Sequence, residues 1–151
     1  QISSKAADTV QARICSLVGS ITPENIAATE LELIQQCGMS MRKAVYIKEA
    51  AGAVLNKRLD VEELRTLPDK EVIKKLRSLK GIGQWTAEML LLFSLCRPDV
   101  VSYDDLAIRR GMMSLYHLKE LSEERFDDYR QRYSPYGSVA SLYLWKLSAE
   151  Q

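Results

Sequence analysis

From Ser4 to Ser148 the apolar residues return every three or four positions, in runs closed by glycine or opened by proline, serine or threonine. That period belongs to helices with one buried face, and nowhere does a β-branched and polar alternation persist beyond a few positions. The pattern predicts an all-α fold. Ala7, Val10, Ile14, Leu17 and Val18 form the stripe of a first helix that stops at Gly19, and Thr22-Pro23 has the form of an N-cap followed by the first helical residue. Leu31, Leu33 and Ile34 lead to a stop at Gly38. Ser40 caps a run carrying Ala44, Ile47, Ala51, Val54 and Leu55. Short helices are expected over 61–67 and 68–79, then one from Asp105 to about Tyr116, one capped by Ser122 through Tyr133, and a last over 137–148. Residues 84–95 differ, because Trp85, Ala87, Met89, Leu90, Leu91, Leu92 and Phe93 leave almost no polar face. They predict a central helix covered on all sides.

Composition removes several classes. The 151 residues are 46% apolar, enough for the core of one domain, 1–151, since a chain of this length can bury roughly 70% of its unfolded surface. The longest apolar run, Met89 to Phe93, is far short of the roughly 20 residues a membrane span needs. Gln1-Ile2-Ser3-Ser4-Lys5 has no basic start and no apolar stretch, so no secretory leader is expected, and a chain without an initial Met reads as a fragment or a processed product. Cys15, Cys37 and Cys96 stand too far apart for a CxxC site and are odd in number, which fits three separate buried thiols in a reducing cytoplasm. The lone His117, at the end of a helical run, suits a partner for the helix dipole.

Two glycines separated by one apolar residue, in Leu79-Lys80-Gly81-Ile82-Gly83-Gln84-Trp85-Thr86-Ala87, permit a tight reversal between two helices. Ile82 is pinned inward, and backbone N–H groups are left at the start of the next helix, where a phosphate can bind. An ordinary helix-helix turn would need no more than the two glycines; the full string is more specific.

This string resembles the helix-hairpin-helix of the DNA glycosylase superfamily, in which hairpin amides grip one DNA phosphate. The stretch from Asp99 through Ser102-Tyr103-Asp104-Asp105-Leu106-Ala107-Ile108-Arg109-Arg110-Gly111 resembles the superfamily's aspartate segment. Residues 1–7, Ser40-Met41-Arg42-Lys43-Ala44, and Tyr133-Ser134-Pro135-Tyr136-Gly137 through Trp145 are similar to stretches of its 3-methyladenine (alkylated base) branch, so the likeness covers nearly the whole chain.

The resemblance implies a monofunctional enzyme that flips an alkylated base out of double-stranded DNA, excises it and leaves an abasic site. Asp105 is then the carboxylate that stabilises the sugar cation. Asp104 competes for that role, and from position alone Asp105 reads equally as a helix N-cap. Trp85 and Trp145 match aromatic positions of the base pocket, while Met89 stands where relatives can carry an aromatic. Core filling is the plain alternative for either tryptophan. The hairpin residues Lys80, Gly81, Ile82, Gly83, Gln84 and Thr86 would hold DNA, and Gln1 is nearest to the position of the side chain that fills the vacated stack. Bifunctional members use a lysine where Trp85 stands, and an indole forms no Schiff base. Members with an iron-sulfur cluster carry four clustered cysteines that this chain lacks. No cofactor is required; a monovalent cation on the carbonyls of Leu79 to Ile82 is expected as a structural element. The protein is expected to be a cytoplasmic monomer with no membrane contact, and the family normally has more chain before the matched region. Two other readings stay open, a non-catalytic helix-hairpin-helix module that binds DNA and a helical protein-interaction domain.

The near-zero net charge is an average. Between Lys70 and Lys80 five basic residues face one acidic residue, whereas 81–151 holds eight basic and ten acidic groups. A basic approach thus precedes an acidic half, and Arg109 and Arg110 can each reach a phosphate or pair with a carboxylate.

Overall fold

The computed structural model describes residues 4–150. Among them are ten helices and no strand, as the apolar spacing predicts. They are α1 (Ser4–Val18), α2 (Pro23–Ala28), α3 (Leu31–Gln36), α4 (Met41–Leu55), α5 (Val61–Thr66), α6 (Asp69–Arg77), α7 (Gln84–Phe93), α8 (Leu106–Leu115), α9 (Glu123–Gln131) and α10 (Gly137–Ala149). The chain forms two compact units, one made of the residues up to Leu67 with Arg77–Gly81, the other of Pro68–Leu76 with the chain from Ile82 onward.

Local chemistry sets the ends of these helices. The hydroxyls of Thr22, Ser40 and Ser122 accept from the amides of Asn25, Lys43 and Arg125, each satisfying a first-turn donor that has no partner inside its helix. Gly19 and Gly38 take positive φ after α1 and α3, a conformation in which a side chain would be strained. In the first unit Ile26, Ile34, Ala44 and Ala51 form the core, with Ile14, Val18 and Ile47 packed against it. The alanines of α4 carry only a methyl group, which lets α2 and α3 approach its backbone closely.

In the second unit the core is Val101, Ile108, Met112, Phe126 and Leu144. Here α8 and α10 cross at Gly111, where an added Cβ would strike the backbone carbonyl of Leu144. The loop before α8 is strapped to the start of α10. The Asp99 carboxylate accepts from the Gly137 amide at 3.0 Å and the Ser134 hydroxyl at 2.6 Å. Val100 N–H donates to Ser138 Oγ at 3.0 Å, and Ser141 Oγ donates to Val100 O at 2.7 Å. Two stretches nearly forty residues apart in sequence therefore form one frame.

Two expectations need correction. Helix α7 is not covered on all sides: Ala87, Leu91 and Leu92 are buried, but Trp85 and Phe93 are exposed, because the second unit packs against only one side of this apolar helix. Of the three thiols only Cys37 is buried, and Cys15 and Cys96 lie at the surface. His117 is exposed and follows the C-cap Tyr116 of α8 with a positive φ, its amide donating to Ser114 O.

Candidate active site

Asp105 is only 5% exposed and is the N-cap of α8. Its Oδ1 accepts from the amides of Ala107 at 2.9 Å and Ile108 at 3.0 Å. The N-cap reading from sequence is therefore correct as geometry. Two indoles add to it: Trp145 Nε1–H donates to Oδ1 at 3.0 Å, and Trp85 Nε1–H donates to Oδ2 at 2.8 Å. A cap alone requires no such partners. Four N–H groups converging on one buried carboxylate hold it at a fixed place, from which it can face a developing cation.

Each indole arrives for a structural reason. Trp145 follows Leu144, so the close crossing at Gly111 delivers it to the α8 N-terminus. Trp85 sits in the first turn of α7, whose N-cap is Gly83. Asp104, by contrast, is exposed and lines a cavity of about 510 Å³ with Asp69, Glu88, Asp99, Glu123 and Asp127, a cavity that Asp105 does not line. Of the two aspartates, Asp105 is the one that the tryptophan N–H groups reach.

Trp85 and Met89 lie one turn apart on α7, and Phe93 lies one turn further. Phe93, 60% exposed, stacks on Trp145 with ring centroids 5.8 Å apart and planes 11° from parallel. The sequence reading passed over Phe93 as one more apolar residue of a covered helix; its spacing of four from Met89 and eight from Trp85 was the signal. Met89 is partly buried. Trp85 and Trp145 thus reach the carboxylate through their N–H edges.

In the hairpin, Gly81 has φ +86°, and a Cβ there would collide with the Tyr46 ring. Gly83 is different. Its φ of −89° and ψ of −177° suit any residue, and a Cβ would meet nothing within 4 Å. Among the described residues nothing lies where a side chain at 83 would go, and Gly83 gives α7 no side-chain cap. Ile82 and Thr86 are partly buried, and Gln84 Nε2 donates to Glu88 Oε1 at 2.6 Å. Lys80 is ion-paired with Glu49 at 3.3 Å. Gln1 lies outside the described residues.

The two arginines after Asp105 diverge. Arg109 lies over the Tyr103 ring at 4.9 Å with its Nε buried and unpartnered, while Arg110 is exposed. Beside α9, Arg132 covers the Tyr129 ring at 4.7 Å, and Arg130 donates to Asp99 O at 3.1 Å.

Comparison with known proteins adds three findings. A family model described as HhH-GPD superfamily base excision DNA repair protein matches residues 1–135. The chain is 37% identical to DNA-3-methyladenine glycosylase 1 of Schizosaccharomyces pombe over 98% of its own length and 67% of that protein's. Among solved structures, it resembles the DNA-3-methyladenine glycosidase of Bacillus halodurans with a TM-score of 0.85 and 41% identity, covering 100% of this chain and 72% of that one. It also resembles the S. pombe 3-methyladenine DNA glycosylase Mag1 in complex with abasic DNA, with a TM-score of 0.84 and 37% identity, covering 97% and 73%. The chain thus spans about two thirds of the length of the curated relative it matches.

Proposed function

The chain belongs to the HhH-GPD superfamily of base excision DNA repair proteins, and from that premise we propose that it is a monofunctional DNA glycosylase excising alkylated bases of the 3-methyladenine and 7-methylguanine type. The observation that carries this reading is the buried Asp105 carboxylate, gripped by two indole N–H groups in addition to its own helix.

An alkylated purine is already a good leaving group. As the bond from C1′ to the base nitrogen breaks, its electron pair leaves with the base and positive charge develops on the sugar. The Asp105 carboxylate stabilises that charge. Water then adds through its oxygen to C1′ and gives up a proton, leaving an abasic site. No covalent adduct with the protein is needed, and the indole of Trp85 could form none. A cationic base flipped out of the stack can rest on electron-rich rings, which Trp85 and Phe93 expose close to the carboxylate.

The open space at Gly83, at the N-terminus of α7, supports phosphate binding by the hairpin. A monovalent cation on the carbonyls of Leu79 to Ile82 is part of the same proposal, as a structural brace without a role in the chemistry. The proposed protein works as a cytoplasmic monomer on double-stranded DNA. Among the described residues no helix is long and apolar enough to cross a membrane.

The test is base release from methylated duplex. Wild type should liberate 3-methyladenine or 7-methylguanine, and Asp105→Asn should bind the duplex while releasing none. Equal release by Asp105→Asn would overturn the assignment of Asp105, and no release by wild type would leave only a DNA-binding module.

A further inference from the structure

A carboxylate offers about four lone-pair positions, two on each oxygen. At Asp105, Oδ1 is crowded by three donors, the amides of Ala107 and Ile108 and the indole of Trp145. Oδ2 receives one, the indole N–H of Trp85 at 2.8 Å. Among the described residues no further hydrogen bond to either oxygen is recorded. Resting on the glycosylase reading above, we infer that Oδ2 is the oxygen that meets the sugar cation and the attacking water, and that Trp85 is the positioning residue that aims it.

The physical reason lies in the last torsion of an aspartate side chain, which is broad and weakly held by its own chemistry. The cap fixes Oδ1 against two backbone amides. Rotation about the Cβ–Cγ bond moves both oxygens together; the bonds to Oδ1 tolerate a twist that a second anchor on Oδ2 limits, and Trp85 is that anchor. The indole of Trp145 bonds the oxygen already held twice, so it adds little to direction. An N–H on Oδ2 also withdraws charge from the oxygen that faces the cation, which by itself would slow the reaction. A displacement of about 1 Å in a reacting group, however, costs on the order of a hundredfold in rate. Direction therefore outweighs the charge withdrawn.

Trp85→Phe and Trp145→Phe keep an aromatic ring and remove only the donor. With the full chain at saturating concentration on methylated duplex, Trp85→Phe should lower the single-turnover rate of base release by about tenfold or more. Duplex affinity should change less than about twofold, since no phosphate contact is touched. Trp145→Phe should cost less than about threefold, because two amides still hold Oδ1. A Trp85→Phe rate equal to wild type, or losses of the same size in both variants, would overturn the assignment. The chain has two tryptophans, so two indole N–H resonances report the tether without any activity. Both should shift in Asp105→Ala. An unmoved Trp85 resonance overturns the tether even if the enzyme is active, whereas a wild type that releases no base defeats the glycosylase reading and, with it, the assignment of Oδ2.

Discussion

Gly111 on α8 lies so close to the carbonyl of Leu144 on α10 that no side chain fits between them. The next residue along α10 is Trp145, whose indole reaches Asp105 at 3.0 Å. A missing methyl group in one helix therefore determines whether a tryptophan in another can hold the carboxylate.

Gly111→Ala should force α8 and α10 apart. Overpacking of this kind costs about 1–3 kcal/mol, and a clash with backbone rather than with a flexible side chain puts the variant at the upper end. Urea denaturation would read the stability loss. The fraction that stays folded should also release base more slowly, because Trp145 moves with the backbone of Leu144. A variant as stable as wild type would show that the crossing tolerates a methyl group.

The two hairpin glycines should behave differently. Gly81→Ala combines a positive φ with a collision against Tyr46, and should destabilise the fold by about 1–2 kcal/mol from the backbone conformation alone. Gly83→Ala has room and an ordinary conformation, so its melting temperature should match wild type. Its affinity for DNA should nevertheless fall, by about tenfold and equally for every duplex sequence, since phosphate contacts carry no sequence information. Binding titrations with two unrelated duplexes beside a melting curve separate the effects.

Ser102 is fully buried, and its hydroxyl has no hydrogen-bond partner. Its backbone carbonyl accepts from the Asp105 amide at 3.4 Å, a bond that any residue at 102 can make. Removing an unsatisfied buried hydroxyl relieves its desolvation penalty, so Ser102→Ala should leave stability unchanged or raise it by about 1 kcal/mol. Base release should be unaffected. A clear loss of stability in denaturation would mean that the hydroxyl has a partner after all.

Tyr133 donates to the Tyr116 hydroxyl at 3.1 Å. Burial, and then that hydrogen bond, push the Tyr133 phenol above the ordinary tyrosine range. A raised folded-state value means that the unfolded chain loses this proton first, at about pH 10. The stability it contributes is complete below that pH and declines as the pH climbs further. Tyr133→Phe should be less stable than wild type near neutrality and should show a shallower decline above about pH 10. Denaturation midpoints measured across the alkaline range would check it; parallel curves for the two proteins would place the titration elsewhere.

Much of the fold was legible because helix boundaries are decided within a few residues. Thr22, Ser40 and Ser122 act on an amide three positions ahead, and Gly19 and Gly38 act through their own φ. Exposure was less legible. The apolar run of α7 reads as a buried helix on any hydropathy count, yet Trp85 and Phe93 face outward. A helical period shows which residues share a face but not how many faces find a neighbour. Cys15 and Cys96 were misjudged for the same reason.

The sequence alone determined the helices, their caps and the presence at position 105 of a carboxylate able to cap α8, all products of interactions within a turn or two of the chain. What it left open was whether that carboxylate does anything more. The tertiary structure adds Trp85 from 20 residues away and Trp145 from 40. No local rule links those positions. Their meeting depends on the crossing of α8 and α10 at Gly111 and on the strap from Asp99 to the start of α10, long-range contacts that form only when the chain has closed on itself.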